Sequence, residues 1–134
     1  MTIATEPTMS GPSPFHGLCA FPITPADEHG RVDVEMLARL LGRLCDAGVD
    51  SIGLLGSTGT YAYLTRDERL RAVEAAVECV RGRMPLVVGV GALRTDWARD
   101  LARDAEATGA DALLMAPVSY TTLTQEVAYE HYRA

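Results

Sequence analysis

The sequence predicts an α/β domain of four strand–helix units that share one parallel sheet. Three observations carry this prediction. Four apolar runs have strand length, Gly17–Ile23, Ser51–Leu55, Leu86–Val90 and Ala112–Ala116. Each is nearly unbroken in hydrophobicity, as strands are when both faces are covered. Each is followed by a stretch whose apolar residues recur at helical spacing. The order is therefore βαβαβαβα, and such alternation specifies parallel strands joined by right-handed crossovers.

The elements follow in order. Residues 1–15 begin MTIATEPTMSGPSP, rich in Thr, Ser and Pro, without a basic start or an apolar run. They read as a mobile tail rather than a secretory signal, ahead of a domain over residues 16–134. After the first strand, Asp27-Glu28-His29-Gly30 reads as a solvated turn. The first helix places Leu37, Leu40, Leu41, Leu44 and Cys45 on one face, with Asp33 as N-cap and Ala47-Gly48 as its stop. Asp46 and Asp50 flank that stop and read as surface charges. The second helix opens on Thr65-Arg66-Asp67-Glu68, a capping box in which hydroxyl and carboxylate satisfy each other's backbone donors. Its buried stripe is predicted as Leu70, Val73, Val77 and Val80, with Gly82 and Pro85 closing it. The third runs from Thr95 or Asp96 through Trp97, Leu101 and Ala105 to Gly109. The fourth starts at Thr124-Gln125-Glu126, ahead of Val127 and Tyr132.

Composition excludes several classes of function. In 134 residues the net charge is −6, and all 12 basic side chains are arginine, with no lysine. No basic cluster with interleaved aromatics occurs, so nucleic-acid binding lacks its electrostatic footprint. Cys19, Cys45 and Cys79 show no CxxC spacing, which argues against a zinc site or a disulfide framework and for packed, reduced thiols. His16, His29 and His131 are too scattered in sequence to suggest a metal site. No apolar stretch approaches the ~20 residues that cross a bilayer. The expected location is the cytoplasm, with no membrane partner, no metal and no cofactor.

The segment that could carry chemistry is Gly56-Ser57-Thr58-Gly59-Thr60, directly after the second strand. Two glycines allow tight backbone geometry, and N–H groups with Ser and Thr hydroxyls can cradle a small carboxylate or phosphate. The plain alternative is a structural strand-to-helix turn. Tyr61 and Tyr63 beside it suit rim packing or a contact with substrate or subunit. Thr24-Pro25, Gly89-Val90-Gly91 and Met115-Ala116-Pro117 punctuate the other three strands at their carboxyl ends. Periodicity alone does not choose between a barrel and an open doubly wound sheet of flavodoxin type, which would bind phosphate at the Gly56 loop.

The ordered motifs resemble those of the dihydrodipicolinate synthase / N-acetylneuraminate lyase family. Ala20-Phe21-Pro22-Ile23-Thr24-Pro25, with Asp27 and Gly30, is similar to its opening strand and loop. Asp46-Ala47-Gly48-Val49-Asp50-Ser51-Ile52 leading into Gly56-Ser57-Thr58-Gly59 resembles the lead-in and the GTTGE loop. Leu64-Thr65-Arg66-Asp67-Glu68-Arg69 is similar to the L-[ST]-x-x-E-[RH] helix start. Pro85–Gly91 resembles the third strand, and Ala107–Ala112 the approach to the fourth. The resemblance covers roughly residues 17 to 134.

It implies the first four units of a (β/α)₈ TIM barrel, a half-barrel of a class I aldolase or lyase acting on pyruvate or a related 2-oxo acid. In the family a lysine on the sixth strand forms a Schiff base, a tyrosine on the fifth shuttles protons, and the GTTGE loop holds the keto-acid carboxylate. Ser57 then takes the place of the first loop threonine, in the proton relay, and Thr58 the second, on the carboxylate. The chain departs from the pattern at three points. The loop glutamate is Thr60. The family's Pro-Tyr-Tyr is Pro117-Val118-Ser119, so that the relay tyrosine that crosses a subunit boundary is lost or shifted to Tyr120. The fifth and sixth strands, with their tyrosine and lysine, are absent. An iminium needs a primary amine of near-neutral pKa, and arginine cannot supply one. This polypeptide alone is therefore expected to be inactive in Schiff-base chemistry. The alternative is a non-catalytic half-barrel. Four strands leave two open edges and an uncovered face, so homo-oligomers or association with another chain are expected.

Overall fold

A computed structural model describes residues 13–134; the predicted tail lies mostly outside the described residues. The elements are β1 (Cys19–Ala20), α1 (Val34–Ala47), β2 (Ser51–Leu54), α2 (Arg66–Val80), β3 (Leu86–Gly89), α3 (Thr95–Thr108), β4 (Ala112–Leu114) and α4 (Gln125–Arg133). A short 3₁₀ turn, Tyr61–Tyr63, precedes α2. All strand pairs are parallel and lie in the order β1-β2-β3-β4. Sequential order is that of a barrel wall. An open flavodoxin-type sheet would place β1 between two other strands, so that alternative is excluded.

Register divides the strand residues between two faces. Ile52 and Leu54 pair with Leu86 and Val88, and these four belong to the hydrophobic core with Leu37, Leu41, Val73, Ala76 and Leu101 from the helices. The opposite face carries Ser51, Gly53, Val87 and Gly89, since successive side chains alternate. In a complete barrel that face is the packed interior. Here the Phe21 ring covers part of it. A Cβ built on Gly53 would overlap that ring, and one on Gly56 would stand 2.8 Å from Phe21 Cδ1. Central strands β2 and β3 are buried throughout, whereas the edge strands are not: Leu113 and Leu114 of β4 are each 41% exposed.

The strands are shorter than their apolar runs. Only Cys19–Ala20 of the first run is strand. The helix boundaries follow their chemistry. Asp33 accepts from Met36 N (2.9 Å), and Gly48 ends α1 at φ 73°. Thr124 caps α4 by accepting from Val127 N. Gly109 ends α3 at φ 113°, but Arg94, its N-cap, supplies no capping side chain.

Three expectations need correction. The capping box of α2 is half formed. Thr65 Oγ1 accepts from Glu68 N (3.3 Å), but the Glu68 carboxylate turns to Val32 N (2.7 Å) and Arg71 instead, so it joins two segments rather than closing its own helix. The buried stripe of α2 is Arg69, Ala72, Val73, Ala76 and Val80; Leu70 and Val77 are only half-buried. Asp50 is more than a surface charge. Its Oδ2 accepts from Leu18 N at 2.6 Å, while its own N–H donates to Leu18 O. Asp111 does the same two units later, accepting from Leu86 N at 2.7 Å and donating to Leu86 O. Each aspartate follows a helix-ending glycine and fastens the strand it starts to its predecessor.

Candidate functional site

The carboxyl ends of the strands are shaped by one abrupt turn. After β2 the chain enters the left-handed region at Leu55 (φ 57°), and it does so again at Thr60 (φ 54°). Neither residue is glycine, and such positions are strained, a feature that concentrates at functional sites. Between them Gly59 N donates to Gly56 O (2.9 Å) and Thr60 N to Ser57 O (3.2 Å). Gly56 and Gly59 are buried, whereas Ser57 and Thr58 are exposed. Among the described residues the Ser57 and Thr58 amides donate to no backbone carbonyl. Two free N–H groups and two hydroxyls thus lie on one tight turn, an arrangement with the donors to bind an anionic oxygen pair.

Neighbouring strands fix this turn from beneath. Gly89, the last residue of β3, lies against it: a Cβ there would stand 2.7 Å from the Leu55 carbonyl carbon and overlap the carbonyl oxygen. A Cβ at Gly59 would stand 3.0 Å from Leu55 Cα and 3.1 Å from Thr24 Oγ1. Close backbone approach requires glycine at 89, and at 59 it leaves a side chain only tight contacts.

Arg69 braces the same edge from the helix side. Only 6% exposed, it donates from Nη1 to Gly91 O (3.1 Å) and from Nη2 to Gly89 O (3.1 Å). Its guanidinium lies 5.1 Å from the Tyr61 ring centroid, a cation–π contact. Burial lowers its pKa, yet a guanidinium stays charged in proteins. With no carboxylate partner among the described residues, that charge is held by carbonyl dipoles at the end of β3. Tyr61 is half-buried here and Tyr63 is 86% exposed, so the pair divides into a packing residue and a surface residue.

Of the predicted site residues, Ser57 and Thr58 lie together on the turn. Tyr120 does not join them. It is 99% exposed in the β4–α4 connection and hydrogen-bonds to neither. Asp27 is a turn residue, as expected, accepting from His29 N and Arg31 N (both 2.9 Å); those two N–H groups and the Arg31 guanidinium hold its carboxyl below the usual range. Trp97 is 52% exposed beneath the Arg94 guanidinium. The three cysteines are unpaired and half-buried. Among the described residues no three His, Cys, Asp or Glu side chains cluster as a metal would require, and no helix is long and apolar enough to cross a membrane. A cavity of about 400 Å³ opens between α2 and α3, lined by Leu64, Arg66, Arg69 and Trp97. It excludes Ser57 and Thr58, which are exposed on the turn.

Sequence reasoning missed the bracing role of Arg69 and the contact of Phe21 with the glycines. An arginine within an otherwise apolar helical stripe was the available signal for the first.

Comparison with known proteins accounts for this architecture. The dihydrodipicolinate synthase of Agrobacterium tumefaciens superposes with a TM-score of 0.87 at 66% identity, over 89% of this chain and 40% of that one. That of Acinetobacter baumannii, crystallised with pyruvate, superposes at 0.81 with 32% identity, over 87% and 40%. The 4-hydroxy-tetrahydrodipicolinate synthase of Phenylobacterium zucineum is 39% identical over 120 residues, 90% of this chain and 40% of the relative. The chain thus spans about 40% of the length of these relatives, and its sheet corresponds to the first βα units of their TIM barrel. With the sequence model of the dihydrodipicolinate synthetase family matching residues 14–134, the chain belongs to that family.

Proposed function

We propose that this chain supplies the carboxylate-holding wall of a pyruvate-dependent carbon–carbon lyase or aldolase. The observation that carries this reading is the strained turn at Gly56–Thr60, with the free Ser57 and Thr58 amides at the carboxyl edge of a parallel sheet. Active sites of (β/α)₈ barrels are built at that edge. Ser57 N–H and Oγ with Thr58 N–H and Oγ1 hold the two carboxylate oxygens of a 2-oxo acid. In this reading the Ser57 hydroxyl begins the proton relay, as its match to the first threonine of the family's GTTGE loop suggests. In this reading Tyr120 serves a relay through another chain rather than through its own turn; its full exposure supports that role. The A. baumannii relative is a pyruvate complex, which supports the ligand class.

The electrophile-forming amine lies outside residues 1–134, because the sequence contains no lysine. Borohydride reduction in the presence of pyruvate, followed by intact-mass spectrometry, tests this. The expected outcome is an unmodified chain, and a stoichiometric adduct on it would refute the assignment.

A second reading, a half-barrel that works by association, is favoured by the open edges of β1 and β4 and by Leu113, Leu114, Phe21 and Ile23, each at least 41% exposed. Light scattering would show an oligomer, and a stable monomer at high concentration would exclude this reading. The expected compartment is the cytoplasm.

A further inference from the structure

Thr24 stands at the end of the first strand run and has no place in the mechanism above. It is 4% exposed, and its Oγ1 has no hydrogen-bond partner among the described residues. A buried hydroxyl without a partner is unfavourable, and such groups call for an explanation. Its location offers one. Thr24 Oγ1 is directly behind the carboxylate turn, close enough that a Cβ on Gly59 would stand 3.1 Å away. The turn is strained at both ends, Leu55 and Thr60. Glycines at its first and fourth positions leave the peptides between them free to tilt without a side-chain clash.

We propose that Thr24 is a positioning residue of the carboxylate site, whose hydroxyl acquires its partner, a peptide group of the Gly56–Gly59 turn, when a 2-oxo acid carboxylate docks on Ser57 and Thr58. In the free chain the hydroxyl has no protein partner among the described residues. Docking draws the Ser57 and Thr58 amides toward the anion, tilts the adjoining peptides, and brings one of them onto Thr24 Oγ1. The ligand and Thr24 thus stabilise the same conformer, and by linkage each strengthens the other. This inference rests on the proposed function and adds a residue to that site from a different strand.

The signs of two measurements separate this role from a structural one. Replacing Thr24 by valine keeps its shape and removes the hydroxyl. If the hydroxyl is unpartnered in the free chain, Thr24→Val leaves the melting temperature unchanged or raises it. If its partner arrives with the ligand, the same variant weakens pyruvate binding about tenfold (about 1.4 kcal/mol), and Thr24→Ser restores binding. Ligand-observed NMR titration of the 134-residue chain with pyruvate reads the affinity, and calorimetry reads the stability. A Thr24→Val chain that melts lower shows that the hydroxyl already has a partner, a bound water included, and overturns the proposal. Undiminished affinity in Thr24→Val overturns it too. Ser57→Ala distinguishes the two levels. If Ser57→Ala loses binding while Thr24→Val does not, this inference fails and the carboxylate wall stands. If neither substitution changes pyruvate binding, both fail.

Discussion

Replacing Gly89 by alanine is the sharpest perturbation of the wall that holds the turn. The new methyl would stand 2.7 Å from the Leu55 carbonyl carbon and overlap its oxygen. The obstruction is backbone, so no rotamer change relieves it. Leu55 already occupies the left-handed region at φ 57°, so moving its carbonyl displaces the start of the Gly56–Thr60 turn. Overpacking of this kind costs ~1–3 kcal/mol, and a backbone obstruction belongs at the upper end. Against that, glycine to alanine within a strand gains about 0.5–1 kcal/mol of backbone entropy. The net is about 2 kcal/mol of destabilisation, or roughly 6–10 °C in melting temperature for a domain of this size. Gly42, mid-helix in α1, provides the internal contrast. Nothing lies within 4 Å of a Cβ there, so Gly42→Ala should stabilise by about 0.5–1 kcal/mol. Urea denaturation of both variants measures the difference. Equal stability of Gly89→Ala and the parent would refute the close approach of β3 to Leu55 on which the turn's geometry rests.

Two further predictions follow from the joints between units. Removing the Asp111 carboxylate with Asp111→Ala leaves the N–H of Leu86, a residue 2% exposed, without its partner. The cost should be ~1–3 kcal/mol. Asp50→Ala, which frees the N–H of the 64% exposed Leu18, should cost less because water replaces the carboxylate; urea titrations that reverse this order would contradict the account. Glu68 has its carboxyl held below the ordinary value of 4.5, first by the Val32 N–H and then by Arg71. A depressed folded-state pKa gives stability that is fully present above the unfolded value and lost as pH falls through the folded one. Glu68→Gln should therefore melt below the parent at pH 7, with the gap closing as pH falls below about 4. A gap independent of pH would show that the charge is immaterial.

Much of the fold was legible because its signals are local. Asp33, Thr65 and Thr124 each cap the helix they precede, and each unbroken apolar run contains a parallel strand. Strand order was not legible from periodicity, since neighbours in sequence need not be neighbours in a sheet; the family resemblance supplied it. Non-local chemistry was also hidden. Glu68 read as the second half of a capping box, but the Val32 N–H, 36 residues away, and Arg71 take its carboxylate. Asp50 read as a surface charge because its partner is the backbone of Leu18. Arg69 read as a motif letter, although its carbonyl partners on β3 are set by helix packing. At the site, Ser57 and Thr58 were legible through the Gly-rich pattern. Thr24 was visible only as punctuation, since its position behind Gly59 depends on β1 and β2 being adjacent.

Amide-resolved NMR of the chain during a pyruvate titration addresses the carboxylate assignment most directly. Saturable shifts should centre on Ser57 and Thr58, extend to Gly56, Gly59 and Thr60, and vanish in Ser57→Ala. Shifts centred elsewhere, or a turn indifferent to the ligand while other amides respond, would contradict it.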